Sequence, residues 1–498
     1  MRSSFLAGFV FFCLAGGAVA GPASQYGADA WAVGNAGVQY VFGGSPSVIS
    51  TNPSLLHELP DQFALSINAY RPDARVKLME RPASADVPIT LYESDVGIEG
   101  QNLDRPLPTV ELPVPRHDNH QDSVTGVVGL YLVRQIVERR LWMGLSVLVP
   151  TSGIVGVSTW FPDERDQYFG NTAHFVRFAE WNQSIELALG LCWKQYDWLS
   201  VGASAEVALH ATAGLDAYVP EATVQDYALA NARLDASVAL RGIVGITVRP
   251  LEWLSASVVW KDRRYNKVSA DAYLKLWNYH EAGDVTKPQI VHQRHLLAVD
   301  YQPMQLSLAA GAELGAWKFQ AALTWQDWSD YLDPHHQRAQ DAAVFTPTNP
   351  DDPAPDGAPF AFSDTWSLAA AASWAWKEGW VASAAISWQP SPVPAQVGRT
   401  NYVDNDILVF SAGHRFPLEL LGKKWTIDVG LEFAYMFSAT VYKDPALIRD
   451  EFADRATTLI GGQPMPEAEG LQTNNPGFPG FSFYGWSLAG AVTVGYLF

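Results

Sequence analysis

The chain closes on Phe483-Tyr484-Gly485-Trp486-Ser487-Leu488-Ala489-Gly490-Ala491-Val492-Thr493-Val494-Gly495-Tyr496-Leu497-Phe498. Counted back in steps of two, one set is Phe498, Tyr496, Val494, Val492, Gly490, Leu488, Trp486 and Tyr484, almost all large and apolar. The other is Leu497, Gly495, Thr493, Ala491, Ala489, Ser487, Gly485 and Phe483, mostly small or polar. Side chains alternate across a strand, so this stretch is one β-strand with a greasy face and a wetter one. A strand of a soluble sandwich alternates in the same way. A strand this long, closing the chain on an aromatic, better suits the seam of an outer-membrane barrel, where ~9–11 residues cross the hydrocarbon.

Working outward, the same period-2 signal begins near Gln62 and keeps returning. Ile185, Leu187, Leu189, Leu191 and Trp193 share a face against Glu186, Ala188, Gly190, Cys192 and Lys194. After a turn at Tyr196-Asp197-Trp198, Leu199, Val201, Ala203, Ala205, Val207 and Leu209 oppose Ser200, Gly202, Ser204, Glu206, Ala208 and His210. Such pairs read as antiparallel hairpins with charge on one side. Short turns alternate with long polar or Pro-rich loops at 81–121, 151–182, 333–360 and 443–480. That asymmetry is the build of a bacterial outer-membrane barrel, and about 14 strands are expected. The expected fold is therefore all-β: a transmembrane antiparallel β-barrel over 61–498.

The start of the chain agrees. Arg2 precedes an apolar run from Phe5 to Leu14, and Ala18-Val19-Ala20 supplies small residues for cleavage. Residues 1–20 read as a secretory signal peptide, which places the barrel in the outer membrane after cleavage. With Cys13 inside that run, only Cys192 is left and no internal disulfide is expected. No later segment reaches the ~18 apolar residues of a spanning helix, yet the chain carries 19 Trp, 19 Tyr and 23 Phe. Aromatics in that number fit interfacial girdles. The formal charge of −19 argues against nucleic acid as a partner.

Residues 21–60 do not alternate. Gly34-Asn35-Ala36-Gly37, Gly43-Gly44-Ser45-Pro46 and Asn52-Pro53-Ser54-Leu55-Leu56 are small and turn-rich, better suited to fold compactly inside something than to span a bilayer. Facing charges toward lipid costs ~2–4 kcal/mol for Arg or Lys at the midplane, so Glu186, Glu206, Arg241, Lys261 and Arg263 are expected in the lumen. There they pair with one another or with the plug; alternatively Arg241, Lys261 or Arg263 receives a ligand carboxylate. The loop 151–182 holds Trp160, Phe161, Tyr168, Phe169, Phe175, Phe178 and Trp181, which pack on the rim or form half of a surface groove. Leu215, Tyr218, Val219 and Tyr227, in an Ala-rich stretch at 211–235 able to form a short helix, are the other half. His117, His120, His335 and His336 read as solvated loop residues rather than metal ligands.

The chain resembles the FadL-like outer-membrane transporters of long-chain fatty acids and other hydrophobic compounds. Asn35-Ala36-Gly37 followed by Asn52-Pro53-Ser54 resembles the Asn-Pro-Ala motif that ends the family's N-terminal hatch, with Ser54 in place of Ala. Trp325-Gln326-Asp327-Trp328-Ser329-Asp330-Tyr331 resembles the family's Trp-Ser-x-aromatic strand end. Ser391-Pro392-Val393-Pro394-Ala395-Gln396, with Asp404-Asn405-Asp406 and the strand Ile407–Phe416, resembles its late extracellular hairpin.

The resemblance implies a fourteen-stranded barrel whose lumen holds a hatch over 21–60, with Asn35, Gly37, Asn52 and Pro53 in gating. It also implies passive uptake of a long-chain fatty acid or aromatic hydrocarbon, lateral release into outer-membrane lipid under the lipopolysaccharide, and a monomer without cofactors. Two other functions compete. One is an interaction or secretion-partner barrel; the other is a barrel enzyme, for which the chain offers no Gly-x-Ser-x-Gly elbow and no placed triad.

Overall fold

The structure, a computed structural model, describes residues 28–85, 119–121, 124–151, 174–177, 184–218, 229–276, 289–331, 361–398, 400–448, 450, 454, 469–473, 475 and 477–498. The fourteen barrel strands are β1 (Gln62–Leu78), β2 (Thr125–Val137), β3 (Leu141–Pro150), β4 (Ile185–Tyr196), β5 (Leu199–Tyr218), β6 (Leu229–Leu251), β7 (Leu254–Lys261), β8 (Gln305–Leu314), β9 (Trp317–Gln326), β10 (Thr365–Lys377), β11 (Trp380–Gln389), β12 (Ile407–Leu420), β13 (Lys423–Tyr442) and β14 (Gly480–Leu497). Each pairs antiparallel with the next, and β14 returns to β1, from Gln62 opposite Leu497 to Leu78 opposite Phe481. The ring is closed and leaves no edge, as lipid demands: an unpaired N–H or C=O there finds no water.

The terminal strand divides as its alternation predicts. Tyr484, Leu488, Val492, Val494 and Phe498 face outward, whereas Phe483, Ser487, Ala491 and Thr493 are buried inside. The outer face carries two aromatic levels. Trp253, Trp317 and Trp374 lie near the short turns, Trp317 stacked on Trp374 at 5.5 Å; Trp260, Trp366 and Trp388 lie higher on the same face. Eight residues separate Trp374 from Trp366, about 26 Å along a strand and roughly 20 Å of membrane height at a tilt of ~40°, comparable with an apolar band ~25 Å tall. This is a transmembrane β-barrel of the bacterial outer-membrane type.

Turns 138–140, 197–198, 252–253, 315–316, 378–379 and 421–422 join strands at one end, the end where Phe498 N donates to Asp61 O at 3.1 Å. All seven long connections leave from the other end. There β5 and β6, of 20 and 23 residues, run well past the bilayer. Their pairing continues to Tyr218 opposite Leu229, so 211–218 and 229–235 are strand. Among the described residues of 211–235 no helix forms, because ladder bonds with a neighbouring strand satisfy the backbone that an isolated helical turn leaves open. A second hairpin, Arg264–Leu276 with Gln289–Gln302, continues β7 and β8 upward on its own.

Residues 28–59 lie inside this ring. They form one helical turn at Ala30–Val33, another at Val48–Thr51 and a 3-10 segment at Pro53–Glu58. Their backbone and side chains bond inner-wall groups from opposite sides: Ala30 N donates to Thr493 Oγ1 (2.8 Å), Ser204 Oγ to Ile49 O (2.8 Å), and Gln320 Nε2 to Val38 O (2.8 Å).

Depth in the bilayer sets what the outer wall tolerates. Leu488→Arg, at a lipid-facing site 48% exposed, is expected to destabilise the barrel by ~2–4 kcal/mol in urea unfolding in lipid vesicles. Leu421→Arg, on the 421–422 turn, is expected to cost ~0–1 kcal/mol. Equal losses would mean that the short turns do not mark the interface.

Candidate functional site

The interior has three levels, and the N-terminal segment separates them. Nearest the short turns, Ile49, Leu55 and Leu56 pack with Val133, Trp142 and Cys192 of the wall. Asn52-Pro53-Ser54 lies just beside this cluster. Asn52 Nδ2 donates to Tyr40 O (2.6 Å) and Thr247 Oγ1 (3.1 Å), while its Oδ1 accepts from Ser54 N (3.2 Å) and Ser54 Oγ (2.7 Å). Ser54 Oγ is also 2.7 Å from Thr247 Oγ1. The departure from Ala at Ser54 thus adds a hydroxyl that ties the motif to β6. Gly202 and Gly245 make the approach possible: a Cβ at either would collide with Ser54 N or Asn52 Oδ1.

On the opposite wall, Gly413 and Gly430 admit Gly34 and the Ala30 carbonyl in the same way. Arg415 pairs with Asp428 at 2.7 and 2.6 Å, donates to Gly44 O at 2.6 Å and lies 4.7 Å from the Trp31 ring centre. Buried Asp29 joins the two helical turns, accepting from Ala32 N (3.0 Å) and Ser47 N (2.9 Å). Its carboxyl is pushed upward by burial, which those donors partly offset. Asn35 Nδ2 caps Trp31 O at 2.7 Å, and the chain turns through Ala36 and Gly37 with φ of 50° and 69°. An alanine at positive φ is strained by roughly 1–2 kcal/mol; here its methyl joins an apolar cluster that a glycine would not fill.

That cluster is the middle level and the feature most suited to a hydrophobic ligand. Inward residues of β1 (Ala74), β12 (Val409), β13 (Ala434, Met436) and β14 (Phe483) surround Ala36 and Phe175. Phe175, which the sequence left either packed on the rim or in a surface groove, is buried at 4% exposure. It arrives on His174–Phe175, which pairs in parallel with Tyr402–Val403. Two residues on, Arg177 pairs with Asp404 at 2.7 Å and donates to Gln389 O, Pro390 O and Asn405 O. Ser391 and Gln396 hold the same hairpin, Ser391 N to Asp406 Oδ1 at 2.9 Å and Gln396 Nε2 to Tyr402 O at 2.7 Å. Tyr301, Trp328, Tyr331, Phe362 and Tyr402 form a further aromatic cluster, edge-to-face from Trp328 through Tyr331 and Phe362 to Tyr402.

Beside the N-terminal segment lies a polar cavity of ≈ 150 Å³, lined by Glu186, Glu206, Arg241, Lys261, Tyr131 and Gln302 among others. Arg241 is held by Glu206 (Nε to Oε2, 2.7 Å) and Gln302, and Arg264 by Glu186 at 2.6 Å. Lys261 forms no ion pair among the described residues. Arg263 is not in the lumen: it is exposed at the strand end and pairs with Asp330, because the ladder breaks after Lys261 and the alternation restarts. Leu215 and Tyr218 lie on the long hairpin, but their side chains fall outside the described residues. So do Trp160, Phe161, Tyr168, Phe169, Phe178, Val219 and Tyr227.

No family model matches the sequence, and no curated protein matches it either. Among solved structures, the chain is similar to a Pseudomonas aeruginosa FadL homologue over 94% of this chain and 98% of that one, at 12% identity and a TM-score of 0.56. The fold is the FadL fold. A deletion mutant of the TodX monoaromatic hydrocarbon channel is similar over 95% and 99%, at 13% identity and a TM-score of 0.50. Phe175 and its Arg177–Asp404 clasp carried no sequence signal beyond the aromatic excess of the loop.

Two outcomes check the anchoring. Thr247→Val removes the partner of Asn52 and Ser54 and leaves buried polar groups unpaired, at a cost of ~1–3 kcal/mol. Hydrogen exchange over residues 45–59 should accelerate while the barrel stays folded. His57 gives a pH dependence. Its Nδ1 donates to Ser54 O at 2.8 Å, and burial, reinforced by Arg249 and Lys194, holds it down from 6.5 to about 4. The released segment therefore takes up a proton more readily than the docked one between those values. Docking is full above pH 6.5 and weakens as pH falls toward 4; His57→Phe should remove that slope in the same exchange measurement.

Proposed function

We propose that this protein is a passive outer-membrane channel for small hydrophobic molecules, which enter from the long-loop face by taking the place of Phe175 in the apolar level. One observation carries the reading: an apolar interior cluster lined by the wall, Phe481 and Phe483 included, is completed by a ring from a loop, Phe175. Burying an apolar group there returns roughly 0.8 kcal/mol per CH₂, which a water-filled pore does not offer. The neighbouring cavity, lined by charged and amide side chains, would return little to an alkyl or aryl group. Release therefore runs past Ala36 and the N-terminal segment and sideways into the membrane, with Asn35, Gly37, Asn52 and Pro53 as the hatch that yields.

The name of the TodX relative, a monoaromatic hydrocarbon channel, and the ring-sized space held by Phe175 favour small aromatic molecules over long-chain fatty acids. The protein acts in this reading as a monomer and without catalysis.

The test is uptake by proteoliposomes of radiolabelled toluene, oleate and a small sugar. Toluene should enter and the sugar should not. Phe175→Ala removes a ring whose burial is worth ~1.5–3 kcal/mol, so toluene entry limited by its displacement should rise roughly ten- to a hundredfold. Sugar entry in the wild type would show an open pore; no uptake of either hydrophobe in correctly inserted protein would leave the interaction-partner reading standing.

A further inference from the structure

The apolar level has a polar floor. Inward residues of β13 run Asp428, Gly430, Glu432, Ala434 and Met436. Asp428 is taken by Arg415, Gly430 admits the Ala30 carbonyl, and Ala434 and Met436 belong to the apolar cluster. Glu432 lies between the docked N-terminal segment and that cluster, 4% exposed. Across the ladder its neighbours are Ser411 on β12 and Ala489 on β14, with Tyr70 of β1 next in the same row.

Among the described residues the carboxyl of Glu432 accepts one hydrogen bond, a long one from Ser411 Oγ at 3.4 Å. Among the described residues no lysine, arginine or histidine pairs with it. The other buried acids of the wall and mouth are answered: Glu206 by Arg241, Asp428 by Arg415, Asp404 by Arg177 and Asp73 by Arg75. An acid buried with a single weak donor is costly, and such a group calls for a partner that the resting fold does not supply. The acid also sits two residues below Ala434, about 7 Å along the strand, a distance that one substituted ring spans.

We propose that Glu432 is the specificity residue of the channel: a ring that replaces Phe175 directs a hydrogen-bond-donating substituent, a phenolic hydroxyl or an amine, onto the Glu432 carboxyl. The inference rests on the transport reading above and narrows it to donor-bearing aromatic molecules. Ligands ending in a carboxylate meet an acid at this floor and are disfavoured, the opposite of a fatty-acid site.

Binding to purified, folded protein tests this without requiring transport. The probes are radiolabelled toluene, p-cresol, benzylamine and benzoate, measured by equilibrium dialysis on the wild type and on Phe175→Ala. Retention of p-cresol and benzylamine should exceed that of toluene tenfold or more, with benzoate weakest. Glu432→Gln should abolish the benzylamine preference and relax the exclusion of benzoate; Glu432→Ala should bring p-cresol down to toluene. Toluene itself should hold constant across the Glu432 variants. If wild-type protein binds all four rings alike, or if the order survives Glu432→Ala, the inference is overturned even though toluene still crosses. Failure to bind or carry toluene at all overturns the transport reading instead. Should the Glu432 variants not fold, the wild-type order of the four probes alone decides.

Discussion

A bilayer offers no water to an unpaired backbone group, and the architecture follows from that constraint. The ladder from Gln62–Leu497 to Leu78–Phe481 returns the last strand to the first and removes both edges. Once the ring closes, alternation decides everything else: each strand sends its large apolar residues to lipid and its small and polar ones inward. The lumen so formed is too wide to be filled by alanine, serine and glycine. Something else has to occupy it.

The occupant is the start of the same chain. Residues 28–59 make only short helical turns, which would be marginal alone, and they are held by wall contacts on two sides. Those contacts depend on absent side chains as much as on present ones. Gly202 and Gly245 admit Asn52 and Ser54, Gly413 and Gly430 admit Gly34 and Ala30, and the hydroxyl of Thr247 and the fork of Arg415 then bond what has come close. The segment is fixed by hydrogen bonds to the wall together with small apolar clusters such as the one around Ile49, Leu55 and Leu56.

Polarity inside the ring is divided by height and side. The β1, β12, β13 and β14 walls carry the apolar residues, closed above by Phe175 and the Arg177–Asp404 pair; the β4 to β8 side carries the paired ions of the cavity. Breaking a buried pair such as Arg177–Asp404 leaves an uncompensated charge, at ~3–5 kcal/mol. The loop segment is therefore held by its ion pair as well as by its ring.

The strands, the closed ring, the two unequal ends and the compact non-alternating start were legible in the sequence, because each rests on a local pattern: a period of two, a turn, or the lack of either. In the structure Asn52-Pro53-Ser54 bonds Thr247 of the wall, and Ser391 to Asp406 is tied by its own hydrogen bonds and by Arg177. What sequence could not decide was which inward residues meet. Phe175 reads as one aromatic among seven in an exposed loop until a parallel pair with Tyr402–Val403 brings it inside. Arg263 follows the alternation of β7 until the ladder breaks after Lys261. Whether a buried charge such as Glu206 or Glu432 finds a partner depends on residues far away in the chain. Alternation is set by one strand's own backbone, whereas contact across a lumen is set by register and closure of the whole ring, and only the tertiary structure contains that.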